Sequence, residues 1–154
     1  HGPARGRPRT PPKCRSAKQT GSHDEIGTNM DHRKSRRGSR LSIVLLENVL
    51  WTCVGSAETM REQCEHLLTV SEWSNVTLQI APTGYYPGFN GPFNLATQSN
   101  GDELLYMPTA TGGVTSNDRK DILHIVGAFS ALQARALSAD DSREFLRKAV
   151  VRWT

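Results

Sequence analysis

Residues that could carry out chemistry are few in this sequence, and they stand singly or as adjacent pairs. Cys64 and His66 are close in sequence and of types that can bind a metal, but they are two and a structural zinc site takes about four ligands. The carboxylates Asp102–Glu103 lie beside a predicted hairpin turn and Asp140–Asp141 begin a predicted helix, so turn formation and helix-dipole compensation account for both pairs. The sequence therefore predicts no metal site and no cofactor site.

Nucleophilic and phosphate-binding motifs are missing in the same way. The G-x-S-x-G motif does not occur, and TGGVTSNDRK has two glycines without the G-x-x-x-x-G-K-[ST] spacing. His66 and His124 are each predicted on a helix, where a histidine more often packs than acts as a base. We therefore expect that the chain is not an enzyme.

The most distinctive stretch is APTGYYPGFNGPF, residues 81–93, which sets aromatic side chains among prolines and glycines. A loop stiffened by proline presents aromatic area to a partner at low entropic cost. Tyr85, Tyr86 and Phe89 are therefore the candidate partner-binding residues. The alternative is that Phe93 and one tyrosine fold back on the core, and Phe93 itself is predicted to be a core residue.

Charge is distributed unevenly along the chain. The net charge is +4, but residues 1–40 carry +8 and residues 41–154 carry −4. A basic arm can contact phosphates without sequence preference. The candidates for such contacts are Arg33, Lys34, Arg36, Arg37 and Arg40. The alternative is a solvated extension, since no aromatic or glycine pattern interleaves these charges.

The same N-terminal segment, residues 1–40, has only Ile26 and Met30 as large apolar residues. A segment that cannot bury apolar area cannot offset the entropy of ordering its backbone, so it is predicted to be disordered. The chain thus divides into a disordered basic arm, 1–40, and one effector or interaction domain, 41–154.

Compartment and membrane association follow from what the sequence lacks. The longest apolar run of note, IVLL, is too short to span a membrane, and no signal peptide is recognisable. The three cysteines are odd in number and form no C-x-x-C pair, so no disulfide framework is expected. A cytoplasmic protein without membrane contact is the expectation.

Hydrophobic periodicity predicts the elements of the body. A strand runs into a short helix over LSIVLLENVLW, and a helix capped by Ser56 follows over AETMREQCEHLLTVSEW. Strands are predicted over VTLQIAP, PFNLATQS and ELLYMPT, and TGGVTS is predicted as a short turn that leads into a fourth small strand. Two helices end the chain, the last capped by Ser138. The fold class is α+β: a small antiparallel meander sheet packed against one amphipathic helix and two C-terminal helices, with the disordered N-terminal arm.

A run of moderate matches in order, over residues 41–150, resembles a known family. The residues that carry it are Glu47, Leu50, Gly55, Met60, Gln63, Leu67, Leu68, Val76, Pro82, Gly88, Gly91, Phe93, Tyr106, Gly112 and the ALS entry to the last helix. They resemble the C-terminal effector domain of actinobacterial, chiefly streptomycete, Xre-type helix-turn-helix regulators. These regulators are antitoxin-like members of paired systems, and the domain has no assigned chemistry.

The resemblance implies a regulatory protein-interaction or ligand-sensing domain of a transcriptional regulator. Its expected partner is a small protein encoded nearby, and the resemblance also allows a homodimer. The helix-turn-helix that precedes this domain in the family is absent from the sequence, so we expect a truncated form without its own DNA-binding module. DNA would then be bound only through a supplied helix-turn-helix or through the basic arm.

Four residues depart from the family pattern. Pro108 follows Met107 where the family usually has an acidic residue, and Trp51 replaces a residue that is commonly basic. Tyr85 and Tyr86 stand where the family usually has small residues or a histidine. The aromatic pair therefore marks the part of the loop in which this chain differs most.

Overall fold

The structure, a computed structural model, describes residues 39–154. The predicted disorder of the arm and the candidates Arg33, Lys34, Arg36 and Arg37 lie outside the described residues. Arg40 is described, and it is exposed just before the first strand.

Three helices and five strands follow one another in the described part of the chain, and they confirm the α+β class. The elements are β1 (Leu41–Leu46), a 3₁₀ helix (Glu47–Leu50), α1 (Ala57–Ser71), β2 (Val76–Ala81), β3 (Asn94–Thr97), β4 (Glu103–Thr109), β5 (Gly112–Ser116), α2 (Arg119–Arg135) and α3 (Ala139–Trp153). Every helix predicted from periodicity is present.

Side-chain caps begin all three α-helices. The Ser56 side chain accepts a hydrogen bond from the backbone N–H three residues on, and Ser138 does the same for α3. Asp118 caps α2 by accepting from the Lys120 N–H at 2.8 Å. Each cap satisfies an N–H that the helix itself leaves unpaired. The predicted caps Ser56 and Ser138 are confirmed.

The strands form two sheets, whereas the sequence predicted one meander. β3, β4 and β5 form the antiparallel meander, with Leu95 opposite Leu105 and Met107 opposite Val114. β2 pairs instead with β1. The Leu41 N–H donates to the Asn75 carbonyl at 2.9 Å, which sets the starts of these two strands side by side. A helical crossover through α1 joins two strands that begin at the same end.

Residues 39–80 and 137–154 form one compact unit. Its core joins α1, β2 and α3 through the buried side chains Leu50, Met60, Cys64, Leu78, Ile80, Leu146, Ala149 and Trp153. Two buried hydrogen bonds fix this packing. The Ile80 N–H donates to Ser142 Oγ at 2.9 Å, and Trp153 Nε1 donates to the Leu50 carbonyl at 2.9 Å.

The two cysteines of this unit differ, since one is a free thiol and the other is disulfide-bonded. Cys64 is free and 1% exposed, and burial, with a smaller effect of neighbouring Glu65, raises the pKa of its thiol above the ordinary 9.0. Cys53 is disulfide-bonded. A single disulfide is not the framework that the sequence argued against, and cysteine spacing does not reveal which thiols a fold brings together.

Residues 81–136 form the second compact unit, in which α2 packs on the three-stranded sheet. Leu105, Ile122 and Ile125 are its buried centre. Phe93 is half-buried and packs against this cluster, together with Leu95 and Met107, so it lies at the edge of the core and not in its buried centre. In the described part of the chain, no single helix is long and apolar enough to cross a membrane.

Candidate functional site

Residues 82–93 connect β2 to β3 and contain the aromatic candidates; we call them the Tyr85 loop. The loop contains two of the glycines with positive φ, Gly88 at 80° and Gly91 at 153°. It has no regular secondary structure, so side-chain contacts must fix its path. Those contacts come from α2, within the same compact unit.

Tyr86 lies inside the loop instead of facing solvent. It is 2% exposed, and its hydroxyl donates to the Pro82 carbonyl at 2.7 Å. The Arg135 guanidinium lies over the ring, 4.6 Å from the centroid. The prediction that Tyr86 offers an exposed contact is therefore wrong, and the alternative, in which one tyrosine folds back, is the observed one.

Arg135, in the last turn of α2, holds two consecutive residues of the loop. Its guanidinium stacks on the Tyr86 ring, and its Nη1 donates to the Tyr85 carbonyl at 3.3 Å. A cation–π contact at an exposed site contributes about 0.5–1 kcal/mol. Arg135 thus fixes the backbone of Tyr85 while leaving the Tyr85 side chain free.

The turn that follows is held at Gly88. His124 Nε2 lies 3.1 Å from the Gly88 carbonyl oxygen, a hydrogen bond when Nε2 carries the proton. The same ring covers Gly88 so closely that a Cβ there would lie 3.1 Å from His124 Cε1. The Phe89 N–H donates to the Tyr86 carbonyl at 3.1 Å and closes the turn. His124 therefore positions the loop, in line with a packing role.

Phe89 is half-buried and belongs to a row of three rings. Its ring meets Phe93 edge to face at 6.1 Å, and Phe93 meets Phe129 of α2 in the same way at 6.1 Å. Such pairs contribute about 0.5–1.5 kcal/mol each beyond the area that they bury. Phe89 is thus partly framework, and only its exposed part remains available to a partner.

Tyr85 is the residue that this framework leaves outside. It is 82% exposed, more than any other large hydrophobic side chain in the described part of the chain. Its own backbone carbonyl accepts a hydrogen bond from Arg135, and the next residue, Tyr86, is buried. The arrangement offers a phenol ring and a hydroxyl at low entropic cost. Whether a partner uses them stays a prediction.

Sequence reasoning missed the three α2 residues that hold the loop, His124, Phe129 and Arg135. Their contacts with the loop span 36 residues for His124 and 50 for Arg135. Helical periodicity identifies the buried side of α2 but not which segment covers its flank. The sequence contained one indication of these contacts. Arg135 is a cation in the last turn of the helix, where it can stack on a nearby aromatic ring.

In the described part of the chain, the other residues that could bind a metal or act in catalysis do not form a cluster. A shallow cleft of about 430 Å³ is lined by Gly101, Asp102, Glu103, Asn117, Arg119, Ile122 and Leu123. Asp102 is engaged in the hairpin turn, where the Asn100 side chain donates to its carboxylate at 2.9 Å. Within residues 39–154, no group of three or more His, Cys, Asp or Glu side chains is placed to hold a metal ion.

The fold and the loop together define an α+β protein whose most exposed aromatic side chain is presented by a loop fixed on a helix. Residues 16–148 match the model of a family described as a domain of unknown function (DUF5753), and the chain belongs to this family. No curated protein and no solved structure matches the chain. The family description states no activity, so the link with Xre-type regulators stays a prediction.

Proposed function

We propose that the chain is a regulatory protein-interaction domain and that Tyr85 is the centre of its contact surface. The observation that carries the proposal is the contrast between two adjacent residues: Tyr86 is buried and hydrogen-bonded, while Tyr85 is 82% exposed. A tyrosine is a frequent energetic centre of protein interfaces because it combines apolar area with a polar tip.

Preorganisation supports this function. A loop that must order itself on binding loses part of its contact energy to entropy. The Tyr85 loop is already fixed by Arg135, by His124 and by the row of phenylalanine rings. A partner would therefore order little more than the Tyr85 side chain, which has two rotatable bonds.

The regulatory setting comes from the sequence resemblance. An effector domain of an Xre-type, antitoxin-like regulator would receive its signal through a partner, and the small protein encoded beside such regulators is the expected one. The family description states no function, so the regulatory setting rests on the resemblance alone. The partner itself is part of the proposal.

The experiment is a titration of the whole chain with the product of the neighbouring gene, followed by light scattering and calorimetry. We expect a complex, and we expect Tyr85→Ala to weaken its affinity about 10- to 100-fold, as for a central interface tyrosine. The matched control is Val151→Ala, because Val151 is also highly exposed, at 75%, but lies on α3.

Two results would contradict the proposal. One is the absence of a complex at micromolar concentrations. The other is equal affinity for the wild-type chain and the Tyr85→Ala variant. Both variants should unfold at the wild-type temperature, since neither side chain packs in the core.

A further inference from the structure

Cys53 is disulfide-bonded, and its bond partner is not among the described residues 39–154, where the other cysteine, Cys64, is a free thiol. The chain has three cysteines in all, and the third is Cys14. Elimination therefore leaves Cys14, in the basic arm, as the one residue of this chain that Cys53 can pair with.

Cys53 lies in the short segment between the 3₁₀ helix and α1, where its two neighbours are hydrogen-bonded. Thr52 donates to the Asn48 carbonyl from its N–H at 3.0 Å and from its hydroxyl at 2.9 Å. The Val54 N–H donates to Sδ of Met60 at 3.4 Å. Cys53 is half-buried between two exposed residues, so its sulfur is held in a fixed place near the surface of the unit.

The three cysteines differ in how well they suit thiol–disulfide exchange, which needs an accessible thiolate. Cys64 does not meet this need, because it is 1% exposed and burial raises the pKa of its thiol. Cys14 is flanked in the sequence by Lys13 and Arg15, and neighbouring cations favour the thiolate. Exchange is therefore expected between Cys14 and Cys53 and not at Cys64.

We propose that Cys14 and Cys53 form a reversible disulfide that opens and closes with the thiol–disulfide balance of the cell. The sequence predicts a cytoplasmic protein, and a disulfide in the cytoplasm is usually transient and redox-sensing. The co-reactant is a small disulfide of the glutathione type. The proposal is independent of the partner of Tyr85.

Closure of the bond takes two exchange steps. The Cys14 thiolate attacks one sulfur of oxidised glutathione, which forms a mixed disulfide and releases one glutathione thiolate. The Cys53 thiolate then attacks the Cys14 sulfur and releases the second. Two protein thiols are oxidised, one glutathione disulfide is reduced, and the two thiol protons end on the two glutathione molecules. An excess of reduced glutathione reverses both steps.

The disulfide changes how the basic arm is attached to the body. When the bond is closed, residues 14–53 form a covalent ring, and when it is reduced the arm is attached only through its continuation into β1. A segment that is closed at both ends has fewer conformations than one with a free end. The bond therefore restricts the reach of the five basic candidates, which all lie inside the ring: Arg33, Lys34, Arg36, Arg37 and Arg40.

The test is disulfide mapping of the full chain after incubation with reduced and oxidised glutathione at a series of ratios. Trypsin separates the cysteines, since it leaves Cys14, Cys53 and Cys64 in the peptides 14–15, 41–61 and 62–119. We expect the first two peptides to be joined under oxidised glutathione and to separate as the reduced form is added. The Cys64 peptide should be alkylated only after the chain is unfolded.

Cys14→Ser tests the pairing, and Cys64→Ala is the matched control. In Cys14→Ser, we expect Cys53 to take up one glutathione, whereas Cys64→Ala joins the two peptides at the wild-type glutathione ratio. Cys53 that stays unlinked in the oxidised wild-type chain, or that joins two chains to each other, overturns the pairing. A bond that excess reduced glutathione does not open in the folded chain overturns the switch.

Discussion

Gly88 determines where the Tyr85 loop can run. Its φ of 80° lies in the left-handed region, where a side chain costs about 1–2 kcal/mol, and His124 fills the space beside it. The His124 ring both covers Gly88 and hydrogen-bonds to its carbonyl oxygen. The positive φ of Gly88 and the close packing of the His124 ring therefore both require that residue 88 has no Cβ.

We expect Gly88→Ala to destabilise the chain by about 2 kcal/mol, from the strain at positive φ and the disturbed His124 contact. Gly101→Ala is the matched control. Its φ of 87° is almost the same, but a Cβ there meets nothing within 4 Å, so only strain of about 1 kcal/mol remains. Urea denaturation measures both, and equal losses would show that the His124 contact contributes nothing.

Tyr85 and Tyr86 show how much of the site the sequence carries. The loop, its glycines and the packing of Phe93 could be predicted from the sequence. Proline and glycine mark turns, and apolar periodicity marks buried positions, from neighbouring residues alone. The sequence could not decide which tyrosine is buried. That choice depends on Arg135, 50 residues from Tyr85, and on the Pro82 carbonyl that accepts the Tyr86 hydroxyl.

At the scale of elements, helix α2 has three sides with different surroundings. One side packs on the sheet through Ile122 and Ile125, and a flank binds the Tyr85 loop through His124 and Arg135. The remaining side, which includes Leu123, Val126 and Gly127, is exposed.

Helix α3 is tied to β2 by a single buried hydroxyl. Ser142 is fully buried, and its Oγ accepts the Ile80 N–H, which would otherwise be an unpaired donor in the core. The sequence predicted α3, β2 and the cap Ser138 from local patterns. It gave no sign of this bond, because a serine in a first turn is expected to face solvent and the two residues are 62 apart.

We expect Ser142→Ala to destabilise the chain by about 1–3 kcal/mol, since it leaves the Ile80 N–H buried without an acceptor. Ser99→Ala removes the same hydroxyl from an exposed turn and should change the free energy of unfolding by less than about 0.5 kcal/mol. Denaturant unfolding of the two variants gives the comparison. A Ser142→Ala variant as stable as Ser99→Ala would mean that the Ile80 N–H finds another partner.

For the whole molecule, the family match from residue 16 to residue 148 covers the second compact unit and ends within α3 of the first. It begins before the described part of the chain. The fold class followed from the sequence because the three α-helices have side-chain caps and β2 alternates in burial. The division of strands between two sheets did not, since alternation of burial along β2 is the same whichever strand pairs with it. The phosphate-binding role of the arm stays a prediction.

The most direct test of Tyr85 as the contact residue compares the chemical modification rates of the three tyrosines of the chain. Their hydroxyl-radical or nitration rates are measured by mass spectrometry in the free chain and in the complex with the neighbouring gene product. In the free chain we predict fast modification at Tyr85, slower modification at the 40% exposed Tyr106 and the slowest at Tyr86. In the complex, Tyr85 alone becomes protected. An unchanged Tyr85 rate in a saturated complex would contradict the account.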